Sequence, residues 1–162
     1  MKNIFFYLTA IGKIGIAADD NAITEFYFAG NPIPTDLTLY ESPLIKEAAT
    51  QLTEYLAGTR TTFTFPLAPQ GTPFQLAVWQ ALQEIPYGET RSYKDIAVRI
   101  GKPKACRAVG MANNKNPLAI FIPCHRVIGS NGKLVGYGGG LGIKEKLLAM
   151  EKNARIYIGN SM

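Results

Sequence analysis

The sequence predicts an α+β chain: a small N-terminal α/β unit on an antiparallel sheet, then a mainly helical unit with a helix-turn-helix of winged-helix-like type. Three observations carry this. Residues 1–30 alternate β-prone runs with turn signals, helix start signals recur from Ser42 onward, and the charge changes sign between the two halves. Residues 1–70 hold four Lys/Arg against seven Asp/Glu, whereas 71–162 hold thirteen against five.

The runs at 4–10, 14–18 and 22–28 are separated by Gly12-Lys13 and Asp19-Asp20-Asn21, the pattern of an antiparallel meander. Residues 4–11 follow Lys2 in the manner of a signal peptide, but the run is short and Lys13 interrupts it, so it reads as the first strand. Ser42-Pro43 opens a helix, with Ser as N-cap and Pro at its first position. Leu44, Ile45, Ala48, Ala49, Leu52, Tyr55 and Leu56 form its apolar face, and Gly58 stops it. Thr59–Thr64 then leads to Pro66–Gly71, the candidate linker between domains 1–70 and 71–162.

The second half opens with Thr72-Pro73-Phe74-Gln75, a capping box followed by Ala77, Val78 and Ala81 at helical spacing. Pro86-Tyr87-Gly88 ends that helix. Ser92-Tyr93-Lys94-Asp95 opens the next, with Tyr93, Ile96, Ala97 and Ile100 on one face. After a break at Gly101-Lys102-Pro103, a further helix is expected to bury Ala105, Ala108, Val109 and Ala112. Lys104, Arg107 and Met111 occupy its opposite face. Two short helices joined by a Gly-containing turn make a helix-turn-helix, although periodicity alone suits a core-packed αα-hairpin equally well. Leu118–Ile122 reads as a short buried strand or extended segment delivering Cys124. Gly136–Gly142 is a flexible loop, and a last helix runs from Ile143 to about Lys152. The loop lacks the strand–turn–helix context of a dinucleotide cradle.

At 162 residues and 47% hydrophobic content the chain builds a real core. Two cysteines give no disulfide framework, which points to a reducing cytoplasmic location. With one histidine they cannot close a four-ligand zinc shell without borrowed carboxylates, so no metal or cofactor is expected. No stretch approaches the ~20 apolar residues of a membrane span. A basic half joined to an acidic one is the footprint of a nucleic-acid module with an appended support domain.

The chemistry concentrates in Pro-Cys-His-Arg-Val, residues 123–127, which sets Cys124 beside the chain's single histidine, His125. A thiol becomes nucleophilic as the thiolate, and imidazole is the side chain that titrates near neutrality. Neighbours on an extended segment point to opposite faces, so His125 acts on Cys124 only through a bridging water or a sharp turn. Glu151 is the candidate that orients the imidazole. It falls near the end of its expected helix, where the macrodipole disfavours a carboxylate, and that placement suggests a compensating partner.

Asn116-Pro117, Ile122–Ile128, Gly136-Tyr137, Gly139-Gly140-Leu141, Lys144-Glu145 and Leu147-Leu148 resemble the O6-alkylguanine-DNA alkyltransferases, the methylated-DNA–protein-cysteine methyltransferases. Ser92-Tyr93, Gly101 and Arg107–Gly110 fit the same family, and the match covers about residues 72–151. The resemblance implies a support domain over 1–70 and a DNA-binding, alkyl-accepting domain over 71–162. It implies that Cys124 takes the alkyl group of O6-alkylguanine in a single turnover, with His125 as water-mediated base and Glu151 behind it. Asn116 would tie the turn that positions the cysteine. Arg107 would enter the duplex from the minor groove and replace the flipped base, and Tyr93 would assist rotation and then bond the guanine. Tyr137 and Gly138 would flank the substituted oxygen, while the carbonyls of Cys124 and Val127 read the exocyclic amine. Met111 and Arg126 complete the DNA- and base-binding set. Ala119 and Gly138 depart from the human member of the family, which has Pro and Ser there, and this implies a more open pocket wall. The expected partner is double-stranded DNA carrying O6-alkylguanine, with cooperative assembly on DNA left open and no membrane or obligatory protein partner.

Overall fold

The structure is a computed structural model that describes residues 1–132, 137 and 139–160, with the backbone alone for 154–160. The chain forms two compact units, Met1–Gln70 and Gly71–Met162.

In the first unit, β1 (Asn3–Thr9), β2 (Gly12–Ala18) and β3 (Ile23–Phe28) form the meander, and a short β4 (Thr38–Leu39) adds in parallel beside β1. The strand order is β3-β2-β1-β4. Phe5 pairs with Ile16 and Ile16 with Phe26, so one apolar row crosses three strands. Helix α1 (Pro43–Leu56) contacts β2 and β1 and buries Ile45, Ala48, Leu52 and Tyr55. Its first turn is closed by Ser42 Oγ accepting the Ile45 N–H. Part of the candidate linker belongs to this unit. Ile23 donates to the Pro66 carbonyl and accepts from the Ala68 N–H, which pins that stretch alongside β3.

The second unit holds α2 (Pro73–Gln83), β5 (Arg91–Ser92), α3 (Tyr93–Arg99), α4 (Cys106–Asn114), a 3-10 turn at Cys124–Arg126, β6 (Val127–Ile128) and α5 (Leu141–Asn160). Both capping boxes are closed in each direction, Thr72 with Gln75 and Ser92 with Asp95. α2, α3 and α4 pack on one another, and buried Trp79 on α2 donates its indole N–H to the Ala112 carbonyl of α4 at 2.8 Å. The parallel pair Arg91↔Val127 and Ser92↔Ile128 positions the site, because it lays the start of α3 directly beside the cysteine turn.

Three local readings need correction. α4 turns Val109, Ala112 and Asn113 inward, Ala105 is half-buried, and Ala108 is exposed. The short side chains at these positions left the helix phase poorly marked. Leu118–Ile122 is a series of turns with a single bridge between Ala119 and Ile122, and Ile120 adopts φ 74°. Helix α5 begins at Leu141 and continues to Asn160, so Glu151 lies mid-helix and the end-of-helix argument for its partner does not apply. Among the described residues no helix is long and apolar enough to cross a membrane.

Candidate active site

The cysteine is delivered by a tightly bonded loop. Asn116 Nδ2 donates to the Ile122 carbonyl at 2.9 Å, and Asn116 Oδ1 accepts the Leu118 N–H at 3.0 Å, so one amide ties both ends of the loop. The Ile122 N–H closes onto the Leu118 carbonyl, and the Cys124 N–H onto that of Ile122. This network holds Ile120 in left-handed conformation, which a β-branched residue adopts at a cost of about 1–2 kcal/mol. The chain then enters the 3-10 turn of Cys124, His125 and Arg126. A sharp turn is present at the pair, and the route from the thiol to the imidazole through a bridging water stays open beside it.

All three residues are buried, Cys124 at 4% exposure. Glu151 of α5 is the hub beneath them. Its Oε2 faces His125 Nε2 at 2.7 Å, and its Oε1 accepts Arg126 Nε at 2.8 Å and the Gly88 N–H at 3.1 Å. Arg126 Nη2 adds a bond to Oε2 at 3.0 Å, and Nη1 donates to the Ile85 carbonyl at 2.9 Å. Burial pushes the Glu151 carboxyl upward, but His125 and Arg126 outweigh it and hold it down to about 2. An ionised Glu151 accepts a hydrogen bond from the Nε2–H of a neutral imidazole, which leaves Nδ1 as the basic nitrogen. Burial lowers His125 despite Glu151 and so favours that neutral ring. Burial raises the Cys124 thiol to about 11, opposed by its hydrogen bond with Asn116 and by the charge of Lys144. The resting cysteine is therefore a thiol.

Arg126 does not belong with base-binding residues. At 7% exposure its guanidinium is engaged by Glu151, by Ile85 and by the Tyr87 ring, 5.7 Å from the ring centroid. The fixed fork of Arg matches a carboxylate in two bonds, and that pairing draws it inward. Arg107 and Met111 are exposed on α4, Met111 at 67%. A cleft of about 560 Å³ is lined by half-buried Tyr93, Arg107, Gly110, Cys106 and Asn114, together with Ser130 across from them. Burial raises the Tyr93 phenol, and Cys124 adds to the shift, so the two side chains are electrostatic neighbours. Tyr137 is half-buried. Gly138, like Gly136, lies outside the described residues.

Two buried groups were missed in the sequence. Lys144 of α5 donates to the Val127 carbonyl at 2.7 Å, and burial lowers its ammonium while Cys124 raises it. Lys144, Leu147 and Glu151 fall at i, i+3 and i+7 on one helix face, a spacing that could have revealed it. Asn113 reaches the Cys124 carbonyl from α4. No sequence signal set it apart from Asn114. Among the described residues no cluster of three or more His, Cys, Asp or Glu side chains is placed to hold a metal.

A buried thiol, backed by an imidazole–carboxylate pair and set beside an exposed helix that carries Arg107, defines a cysteine-centred protein built around a helix-turn-helix. Residues 73–153 match the family model described as 6-O-methylguanine DNA methyltransferase, DNA binding domain, and residues 5–69 match the ribonuclease-like domain of the same family. The chain belongs to the 6-O-methylguanine DNA methyltransferase family. It is 54% identical over 147 residues to a methylated-DNA–protein-cysteine methyltransferase of Methanosarcina barkeri, covering 88% of this chain and 92% of that one. It is 48% identical over 157 residues to the constitutive methyltransferase of that name from Bacillus subtilis, covering 91% and 95%. The crystal structure of Mycobacterium tuberculosis O6-methylguanine methyltransferase superposes with TM-score 0.89 at 44% identity, over 95% of this chain and 94% of that one. A structure of the mycobacterial protein in complex with DNA gives 0.88 at 45% identity, over 94% of each chain.

Proposed function

We propose that this protein repairs DNA in the cytoplasm by direct reversal, taking the alkyl group of O6-alkylguanine, chiefly O6-methylguanine, onto Cys124 in a single turnover. The observation that carries the reading is the buried Cys124–His125–Glu151 arrangement in a unit whose exposed helix offers Arg107 and Met111. It agrees with the names of the relatives.

A base inside a duplex hides its O6 substituent, so the nucleotide must be extruded, at a cost of a few kcal/mol that is smaller for a mispaired lesion. α4 enters the minor groove, and Arg107 occupies the space the base leaves. Tyr93, at the cleft beside Cys124, assists rotation and then bonds the guanine. Tyr137 and Gly138 flank the substituted oxygen.

His125 accepts the thiol proton through water, and Glu151 stabilises the imidazolium that forms. Burial raises the thiol to about 11 and lowers the imidazole, so this transfer is uphill in the resting protein. Lys144, close to the sulfur, stabilises the thiolate. The sulfur then attacks the alkyl carbon: the S–C bond forms, the C–O6 bond breaks, and its electron pair leaves on guanine, which takes up a proton. The thioether is a poor leaving group, so each molecule acts once.

The test is incubation with duplex DNA carrying a labelled O6-methyl group. One label per protein molecule, mapped to Cys124 and absent in Cys124→Ala, is the expected result. Label that appears elsewhere, or repeated turnover, rejects the assignment.

A further inference from the structure

The turn that follows α2 supplies partners to both members of the Arg126–Glu151 pair. Pro86 to Glu89 form a β-turn closed by the Glu89 N–H on the Pro86 carbonyl at 3.1 Å, with Gly88 at φ 80°. That angle at the third position marks a type II turn, which glycine adopts without strain. The N–H of the third residue makes no bond inside such a turn, and here it donates to Glu151 Oε1 at 3.1 Å. Just ahead of the turn, the Ile85 carbonyl accepts Arg126 Nη1 at 2.9 Å. Between them half-buried Tyr87 presents its ring to the guanidinium, whose carbon lies 5.7 Å from the ring centroid.

Together these bonds fill the carboxylate. Glu151 Oε1 accepts Arg126 Nε and the Gly88 N–H, while Oε2 accepts Arg126 Nη2 and faces His125 Nε2. Each oxygen thus has both lone pairs engaged. The guanidinium is gripped at its edges by Glu151 and Ile85, through bonds that lie close to its own plane. Such bonds resist tilting only weakly. An aromatic face opposes it while attracting the charge. The Tyr87 phenol senses the same pair: burial raises it, Glu151 raises it further, and Arg126 works against both. β5, which follows the turn, pairs with β6 directly after the cysteine turn, so the backbone is held in register on both sides.

We infer that Tyr87 is a positioning residue for alkyl transfer: its ring keeps the Arg126 guanidinium in plane with Glu151, and so keeps the carboxylate on His125 Nε2 and Nδ1 as the accepting nitrogen. The inference rests on the alkyl-transfer reading above. When the guanidinium tilts, the carboxylate turns with it. The imidazole then loses the bond that fixes its tautomer and the anion that stabilises it once charged. Transfer slows while α4 and its exposed Arg107 are untouched.

The experiment follows transfer from duplexes carrying labelled O6-methylguanine to the full-length protein. It compares the wild type, Tyr87→Phe, Tyr87→Leu and a series with mono-, di- and trifluorophenylalanine at position 87. Fluorine draws charge from the ring face and keeps the ring shape, so the series weakens the cation–π attraction without opening a cavity. Tyr87→Phe should stay within about twofold of the wild type, and Tyr87→Leu should be about tenfold slower, the scale of a partly desolvated cation–π contact. Rates should fall stepwise along the fluorinated series, with affinity for undamaged duplex constant. His125 is the only histidine, so its two ring nitrogens give one pair of NMR signals. These should report the Nε2–H tautomer in the wild type and Tyr87→Phe, and a growing Nδ1–H fraction along the series. A role in packing alone makes Phe and its fluorinated forms behave alike. Equal rates and an unshifted His125 across the series, with transfer to Cys124 intact, overturn the inference alone. No transfer to the wild type overturns the proposed function, and this inference falls with it.

Discussion

The guanidinium of Arg126 and the carboxylate of Glu151 meet in a bidentate pair, Nε to Oε1 at 2.8 Å and Nη2 to Oε2 at 3.0 Å. The pair joins the cysteine turn to the middle of α5. It keeps Glu151 ionised next to a neutral His125, the state in which the imidazole is ready to accept a proton. Arg126 thus holds Glu151 in place beneath His125, its guanidinium committed to Glu151 and the Ile85 carbonyl.

Acid should unfold the second unit in two steps. The folded pKa of Glu151 is depressed, so its contribution is present above its ordinary 4.5 and lost as pH falls toward about 2. The folded pKa of His125 is depressed as well, so its neutral burial begins to cost stability once pH drops below 6.5. Trp79 is the only tryptophan and is buried in this unit, so its fluorescence reports the transition. Denaturant titrations across this range should show stability falling in the wild type. In Glu151→Gln the dependence between 4.5 and 2 should flatten, and an undiminished slope would assign it to other carboxylates.

Removing one partner of a buried pair leaves the other charge stranded, so Arg126→Met should lose about 3–5 kcal/mol of stability. Arg126 also lowers His125, so the imidazole should titrate higher in the variant, shifting the pH profile of transfer upward. Affinity for undamaged duplex DNA and its salt dependence should be unchanged. A shallower salt slope would restore Arg126 to the DNA-contacting set.

Arg107 lies exposed on α4, where its loss should leave the relay intact. Arg107→Ala should weaken DNA binding, reduce the salt slope by about one unit and slow transfer from duplex DNA. Reaction with free O6-methylguanine, which needs no extrusion, should stay close to wild type. A parallel loss in both reactions would show that the helix itself had been disturbed.

Lys144→Met removes the positive charge that lowers Cys124. Alkylation of Cys124 by a haloacetamide, followed by mass spectrometry, should move to higher pH, and methyl transfer should slow by about tenfold for each pKa unit. Lys144→Arg should recover most of the shift. If Met and wild type titrate together, Lys144 serves only to hold the Val127 carbonyl.

Gly71→Ala tests the entry to α2. A Cβ there would stand 2.6 Å from the Trp79 ring and 2.7 Å from Gln75 Oε1, so it meets a buried indole and the capping box together. Thermal unfolding followed by Trp79 fluorescence should register a loss of about 1–3 kcal/mol, the usual range for overpacking.

Much of the fold is local and was therefore readable. Ser42, Thr72 and Ser92 start their helices because each side chain satisfies an N–H three residues away, and such bonds need no knowledge of the rest of the chain. The α+β order, the meander and the exposure of Arg107 follow from the same short-range patterns. Phase was harder where side chains are small, as Ala108 shows. Glu151 was reached through a macrodipole argument that assumed a helix ending near Lys152, and the helix continues to Asn160.

Chain order alone puts Cys124 next to the one histidine, and the family resemblance pointed to Glu151 as the carboxylate behind them. Tertiary structure alone decided that Arg126 turns inward to Glu151 across 25 positions, that Lys144 caps Val127 across 17, and that Asn113 meets Cys124 across 11. The physical reason is burial. A charged or amide side chain goes inside only where the fold supplies partners, and those partners come from segments that no local pattern connects.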